Sequence, residues 1–93
     1  MKDLQLRDPE IFQMVKEENK RQIRKWGVQD RDPFEWLAYT TEELGELSYA
    51  ISECVYRDGL QSEVVKEAIQ GATLLLKIAE MALHASPKDF RQT

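Results

Sequence analysis

Asp32-Pro33-Phe34-Glu35-Trp36-Leu37, followed by Glu42-Glu43-Leu44-Gly45-Glu46-Leu47, sets the architecture of this 93-residue chain. Asp32 offers a side-chain acceptor to the free N–H groups of a helix start, and Pro33 fits the first helical position, where its missing N–H is not needed. Glu35, three residues after Asp32, completes a capping box. A helix is therefore expected from Pro33 to about Tyr56, with Asp58-Gly59 as the turn that follows. Upstream, Asp8-Pro9-Glu10 repeats the device, and Gly27 can close that helix as a left-handed residue after Trp26, which gives a helix from about Pro9 to Trp26. Downstream, a third helix is expected from near Ser62 to about His84, where Ser86-Pro87 stops it or starts one more short turn. No stretch shows strand period and no repeat is visible. The chain reads as one domain, 1–93, with loose ends at 1–7 and 85–93, Lys88 to Thr93 forming a tail.

Successive helical residues turn about 100°, so the faces can be compared. In the first helix Phe12, Val15, Ile23 and Trp26 share a stripe with Asn19 and Gln22. In the second, Leu37, Leu44, Leu47, Ile51, Cys54 and Val55 define the apolar face. In the third, Val64, Val65, Ala68, Ile69, Ala72, Leu75, Leu76, Ala79 and Leu83 form a broad one, and Gly71, Leu74, Ile78 and Met81 extend it to a further side. Only Lys66, Thr73, Lys77 and Glu80 are plainly outward. The expectation is an all-α antiparallel bundle of three main helices. One chain cannot cover both sides of the third helix, so a homodimer with a shared four-helix core is expected, the partner covering the side that carries Glu67.

Composition narrows the chemistry. A chain this short buries only about 60–65% of its unfolded surface, and its single cysteine, Cys54, excludes a disulfide scaffold and favours a reducing, cytoplasmic setting. With one histidine, His84, neither a structural zinc site nor an ordinary Ser-His-Asp or Cys-His hydrolase has its parts. Thirteen Lys and Arg against seventeen Asp and Glu give a net charge of −4, with the basic residues dispersed, which argues against nucleic acid. Apolar runs such as Leu74 to Leu76 are far below the roughly 20 residues of a membrane span, and Met1 to Gln13 has no signal-peptide pattern.

The sharpest feature is the acidic run. Glu42 and Glu46 are one turn apart and Glu43 and Glu46 three residues apart, so three like charges project from one sector at a cost of a few tenths of a kcal/mol per pair. They lie too far from Pro33 for the helix dipole to offset this. A solvated acidic face is the plain reading. Against it stands Glu67, which unrolls onto the stripe of Gly71, Leu74 and Ile78, where an ionised carboxylate is expensive unless paired or bound to a cation. Gln70 lies beside it. Two helices thus offer oxygen ligands as ExxE and ExxQ, and oxygen-only ligands select a hard cation, Mg²⁺ or Mn²⁺.

Trp26-Gly27-Val28-Gln29, then Asp32-Pro33-Phe34-Glu35-Trp36-Leu37, then Glu42-Glu43-Leu44-Gly45-Glu46-Leu47, then Glu67-Ala68-Ile69-Gln70-Gly71-Ala72, together resemble the MazG-like family of all-α nucleoside triphosphate pyrophosphohydrolases, especially its short single-domain members. The resemblance covers about residues 16 to 83. It implies Mg²⁺-dependent hydrolysis of an NTP or dNTP between the α- and β-phosphates, giving a monophosphate and pyrophosphate, in a dimer or dimer of dimers. Position by position, Glu43 and Glu46 match the family's ExxE metal ligands and Glu67 the first acid of its second motif. Glu42 matches an extra acid that binds a further Mg²⁺ or acts as base toward the attacking water. Gln70 departs from the pattern, which has aspartate there. An amide oxygen can ligate a metal or hold a water, but it carries no charge and cannot act as a base, so an altered site is expected.

For base and sugar the first helix is the place to look, with Asn19, Gln22 and Trp26 on its inward stripe, Trp26 either stacking on a base or serving as core. Lys66 and Lys77, and more weakly Lys25 and Arg57, are candidate phosphate contacts, although dispersed basic residues are more often solvated. His84 reads as a surface residue near a helix C-terminus and Cys54 as core. Two other readings stand beside the enzyme: a non-catalytic helical dimer of the same fold that binds a nucleotide or a protein partner, and a plain helical interaction module.

Overall fold

The computed structural model describes residues 1–92. Four helices follow one another: α1 (Pro9–Trp26), α2 (Pro33–Tyr56), α3 (Gln61–His84) and α4 (Pro87–Arg91). There is no strand among the described residues, and no helix is long and apolar enough to cross a membrane. The fold is all-α, as expected, and the starts of α1 and α2 are set by the caps visible in the sequence, whereas α3 begins after Leu60 with no side-chain cap. Asp8 accepts from the Glu10 N–H at 2.9 Å. At α2 both halves of the capping box form: the Glu35 N–H donates to Asp32 Oδ1 at 2.8 Å and the Asp32 N–H to Glu35 Oε1 at 3.3 Å. Replacing Asp32 with alanine removes both and should cost about 1 kcal/mol, or about 4–8 °C in thermal midpoint followed by circular dichroism. Asp32→Asn, still an acceptor, should keep most of it; equal midpoints for all three proteins would refute this role for the cap.

Two glycines are required for different reasons. Gly27 closes α1 with φ 74 and ψ −179, donating to the Ile23 carbonyl at 2.7 Å. This is not the left-handed helical conformation expected but the extended positive-φ region open essentially to glycine alone. Gly59 donates to the Glu53 carbonyl at 2.8 Å, and a Cβ there would lie 2.9 Å from the Glu53 carbonyl carbon. The left-handed residue at that helix end is Asp58, at φ 58.

The C-terminal segment departs from the loose tail expected over 85–93. Ser86 accepts from the Asp89 N–H at 3.1 Å, and Pro87 starts the short helix α4. Thr93, also part of that expected tail, lies outside the described residues. Residues 1–7 carry no helix.

α3 packs against both α2 and α1, while α1 and α2 barely touch. The α2–α3 seam takes only Leu47 and Cys54 from the expected apolar face of α2, and on α3 it follows the further side of the helix. On α2 it consists of Trp36, Thr40, Glu43, Leu47, Ala50 and Cys54, and on α3 of Glu67, Gly71, Leu74, Ile78 and Met81, all buried or half-buried at alternating spacings of four and three. The most buried residues are polar: Thr40 is 1% and Thr73 2% exposed. Each hydroxyl donates to its own helix, Thr40 Oγ1 to the Trp36 carbonyl and Thr73 Oγ1 to the Ile69 carbonyl, both at 2.8 Å. With the hydroxyl satisfied, burial costs little, and the short side chain lets helices approach.

Three expectations are thereby corrected. Thr73 is not outward, and Lys77 is half-buried with its ammonium 5.0 Å from the Trp36 ring centroid. In α1 the buried residue is Gln22, whereas Phe12, Ile23 and Trp26 are exposed. The Glu67 side of α3 is covered by the chain's own α2, not left for a partner. What stays open is the other side: Leu37, Leu44, Ile51 and Val55 on α2, and Val65, Leu75, Leu76 and Leu83 on α3, exposed by 41% at Val65 to 77% at Leu83. Unrolled at about 100° per residue, the α2 stripe lies about 85° round from the seam and the α3 stripe about 145°. Because the helices are antiparallel, both stripes turn from the seam away from the α1 side, the α3 stripe reaching round to the back of its helix.

Candidate metal centre and adjoining cavity

The seam carries the acids. Glu43 and Glu46 on α2 and Glu67 on α3 each place a carboxylate oxygen within 4.8 Å of the others, Glu43 and Glu67 half-buried and Glu46 exposed. The helices lie close here: a Cβ built on Gly71 would sit 3.8 Å from Glu43 Cβ, ordinary van der Waals contact. Burial, a proton shared with Glu67, and the charges of Glu46, Glu67 and Glu18 push Glu43 up to about 7. Glu46 is raised as well, first by its hydrogen bond with Glu67, then by burial and by the charges of Glu67 and Glu42, with Lys66 partly opposing. Metal-free, the cluster is thus a carboxylate set that retains a proton near neutrality.

Gln70 directs its amide oxygen at acceptors; turned over, its nitrogen donates to Glu67 Oε2 and to Glu43 Oε2, each at 3.1 Å. Nitrogen inward balances the metal-free acids, and oxygen inward adds another oxygen ligand. This donor set fits a hard divalent cation such as Mg²⁺ or Mn²⁺, which takes oxygen and needs no histidine or cysteine. Exposed acidic groups also cluster without a metal, so the arrangement defines a candidate, not an assignment.

Beside the cluster α1, α2 and α3 enclose an open cavity of about 760 Å³. Asn19, Gln22, Trp26 and Lys77, four of the seven substrate-contact candidates, line it together with Glu42, Glu43 and Gln70. A second cavity of about 660 Å³ continues past Glu42, Glu46 and Glu67 toward Gly59 and Leu60. Glu42 borders both but stands outside the triad. Lys66 lines neither cavity; it faces Glu63 at 3.9 Å, and its charge reaches the site through Glu46. Arg57 faces Glu53 at 3.9 Å. Trp26 is half exposed at the cavity, with Lys25 4.7 Å and Arg21 5.8 Å from its ring centroid, so it is a wall residue rather than core. His84 is exposed and lines the cavity too.

Several cavity residues escape sequence reasoning. Glu18 is held by Arg21 and Gln22, a set whose signal is the i,i+3 and i,i+4 spacing on a stripe that also carries Asn19. Trp36 is 6% exposed and its indole N–H is a buried side-chain donor without a partner among the described residues. Tyr39 meets it edge-on at 6.4 Å, with Arg31 5.0 Å from the Tyr39 ring centroid. No protein-family model, curated protein or solved structure matches the chain.

Proposed function

We propose that the chain is a Mg²⁺-dependent nucleoside triphosphate pyrophosphohydrolase of the MazG-like type, working in the cytoplasm as a homodimer or dimer of dimers. The observation that supports this most is the placement of Glu43, Glu46 and Glu67 at the edge of a cavity large enough for a nucleotide and walled by aromatic, amide and cationic groups. The open leucine stripes support the dimer and its shared four-helix core.

Divalent cations held there would supply positive charge toward the triphosphate and its pyrophosphate leaving group. Glu43, Glu46 and Glu67 hold them through carboxylate oxygens, and Gln70 contributes its amide oxygen. Glu42, bordering both cavities, takes the proton of the attacking water. Lys77 bears on the phosphates, Lys66 on the charge balance of Glu46, Trp26 stacks on the base, and Asn19 and Gln22 meet its edge. Positioning and charge do the work, and no covalent intermediate is needed.

A second reading, a non-catalytic dimer that binds nucleotide, draws on Gln70, which removes one negative charge from the ligand set. Pyrophosphate release from a panel of NTPs and dNTPs with Mg²⁺ separates the two. The expected result is turnover with at least one nucleotide, reduced about 100- to 1,000-fold by Glu46→Gln. Mg²⁺-dependent nucleotide binding with no turnover would instead establish the binding protein.

A further inference from the structure

Most polar groups in a cavity can turn to suit a ligand, but on α1 one cannot. Glu18 receives Arg21 Nε at 2.9 Å on Oε1, and on Oε2 both an Arg21 guanidinium nitrogen at 2.8 Å and Gln22 Nε2 at 2.8 Å. Its side chain is only 10% exposed. Burial alone would raise Glu18, but the hydrogen bonds from Arg21 and Gln22 and the charges of Arg21 and Lys77 outweigh it and hold the carboxyl below its usual range. Glu18 therefore stays ionised, and an ionised carboxylate only accepts. Gln22 must keep its NH₂ on Glu18, because the reverse rotamer sets oxygen against carboxylate. Gln22 is 7% exposed and lines the cavity. Its Oε1 is left without a partner among the described residues, as a fixed acceptor. Asn19, on the same wall, has no hydrogen bond among the described residues and can turn either way, so it does not discriminate.

We propose that the locked Gln22 carbonyl makes the cavity select a nucleobase bearing an exocyclic amino group, cytosine or adenine, over the keto counterparts uracil and hypoxanthine. The inference rests on the nucleotide reading above and names the substrate class of that site. An amino group donates to Gln22 Oε1 with the negative field of Glu18 behind it. A keto oxygen in the same place sets acceptor on acceptor and leaves a nearly buried group unpaired. Sites built around one hydrogen-bonding group reject the analogue lacking it far more strongly than pockets that sense size alone.

Matched pairs test this on the full chain with Mg²⁺, by calorimetric binding of dCMP against dUMP and of AMP against IMP; the two pairs distinguish a pyrimidine from a purine site. The amino member of at least one pair should bind about 10-fold tighter or more. The ratio should fall toward one in Gln22→Met, which keeps volume and removes the acceptor. It should also shrink in Glu18→Gln, which leaves Gln22 in place but lets its amide turn over. Equal affinities, a keto preference, or an amino preference unchanged in both variants overturns the inference. Equal pyrophosphate release within both triphosphate pairs, dCTP with dUTP and ATP with ITP, would do so while leaving the hydrolase standing, whereas binding of no nucleotide would overturn both.

Discussion

Metal-free Glu43→Gln protein should melt higher than wild type at pH 8, yet gain nothing from Mn²⁺ or Mg²⁺. The ordinary carboxyl value for Glu43 is 4.5, and in the fold it is pushed up to about 7 by burial, by the proton shared with Glu67 and by neighbouring acids. Between those values the folded chain binds more protons than the unfolded one. The stability this provides is fully present below about pH 4.5 and is lost as pH rises to about 7, so at pH 8 the metal-free fold carries all of its carboxylate repulsion. A shift of that size corresponds to about 3 kcal/mol at most, and solvent reaching the cluster reduces it to about 1–2 kcal/mol. The glutamine amide mimics the protonated acid and donates where that proton sat, so the midpoint should rise by about 5–10 °C. Wild type should recover the same loss on binding a cation, with about 2.7 kcal/mol at a hundredfold excess over Kd. Its apparent metal affinity should fall about tenfold per pH unit below 7, as one proton competes with the cation. Differential scanning fluorimetry from pH 5 to 8, with and without Mn²⁺, reads all of this. A Glu43→Gln midpoint below wild type at pH 8, or an equal Mn²⁺ shift in both proteins, would remove the carboxylate centre from consideration.

The coupling of instability to ligand capacity explains which parts were legible in the sequence. Helix ends were, because Asp8-Pro9 and Asp32-Pro33-Phe34-Glu35 act through local hydrogen bonds that need no tertiary context. The acidic cluster was, because like charges at i,i+3 and i,i+4 are locally unfavourable and Glu67 falls on an apolar stripe. The choice of inner face was not. Hydropathy ranks Leu44 and Leu76 above Thr40 and Thr73, but it does not register that a threonine bonded to its own helix behaves as a small, satisfied side chain. Glu18 is a similar case: Gln22 falls on the inward stripe of α1, but its neighbour Glu18 gives no sign of burial until Arg21 supplies the third member that makes burying it tolerable. Lys66 and Lys77, alike in sequence as outward lysines, separate only through what faces them, Glu63 for one and the Trp36 ring for the other.

Leu44→Glu and Leu76→Glu should each convert the protein to a monomer of 10.9 kDa and lower its thermal midpoint sharply. Leu44 and Leu76 are about half exposed on adjacent helices, about 80° and about 180° round from the seam respectively. Each leucine, already half covered by its own chain, has about 1 kcal/mol left to gain from full burial. Eight such side chains per copy, contributed from both copies, outweigh the lower estimates of the entropy lost on association, about 4 kcal/mol. Pairing two hairpins through these stripes also gives the shared four-helix core that a single short chain lacks. A glutamate at either position buries a charge without a partner, and near a two-fold axis it meets its own copy, so the dimer constant should weaken at least 100-fold. Val28→Glu is the control. Val28 is more exposed than either leucine but sits on the α1–α2 connection, so its charge should leave the mass unchanged. Sedimentation equilibrium reads the masses directly. A wild-type chain that sediments at 10.9 kDa throughout the micromolar range would refute the dimer, and a Leu44→Glu protein that stays dimeric would move the interface off this face. The acids lie on the seam and toward the α1 side, so monomers that remain folded should still bind Mn²⁺. That separates loss of the partner from loss of the centre in any variant that loses turnover.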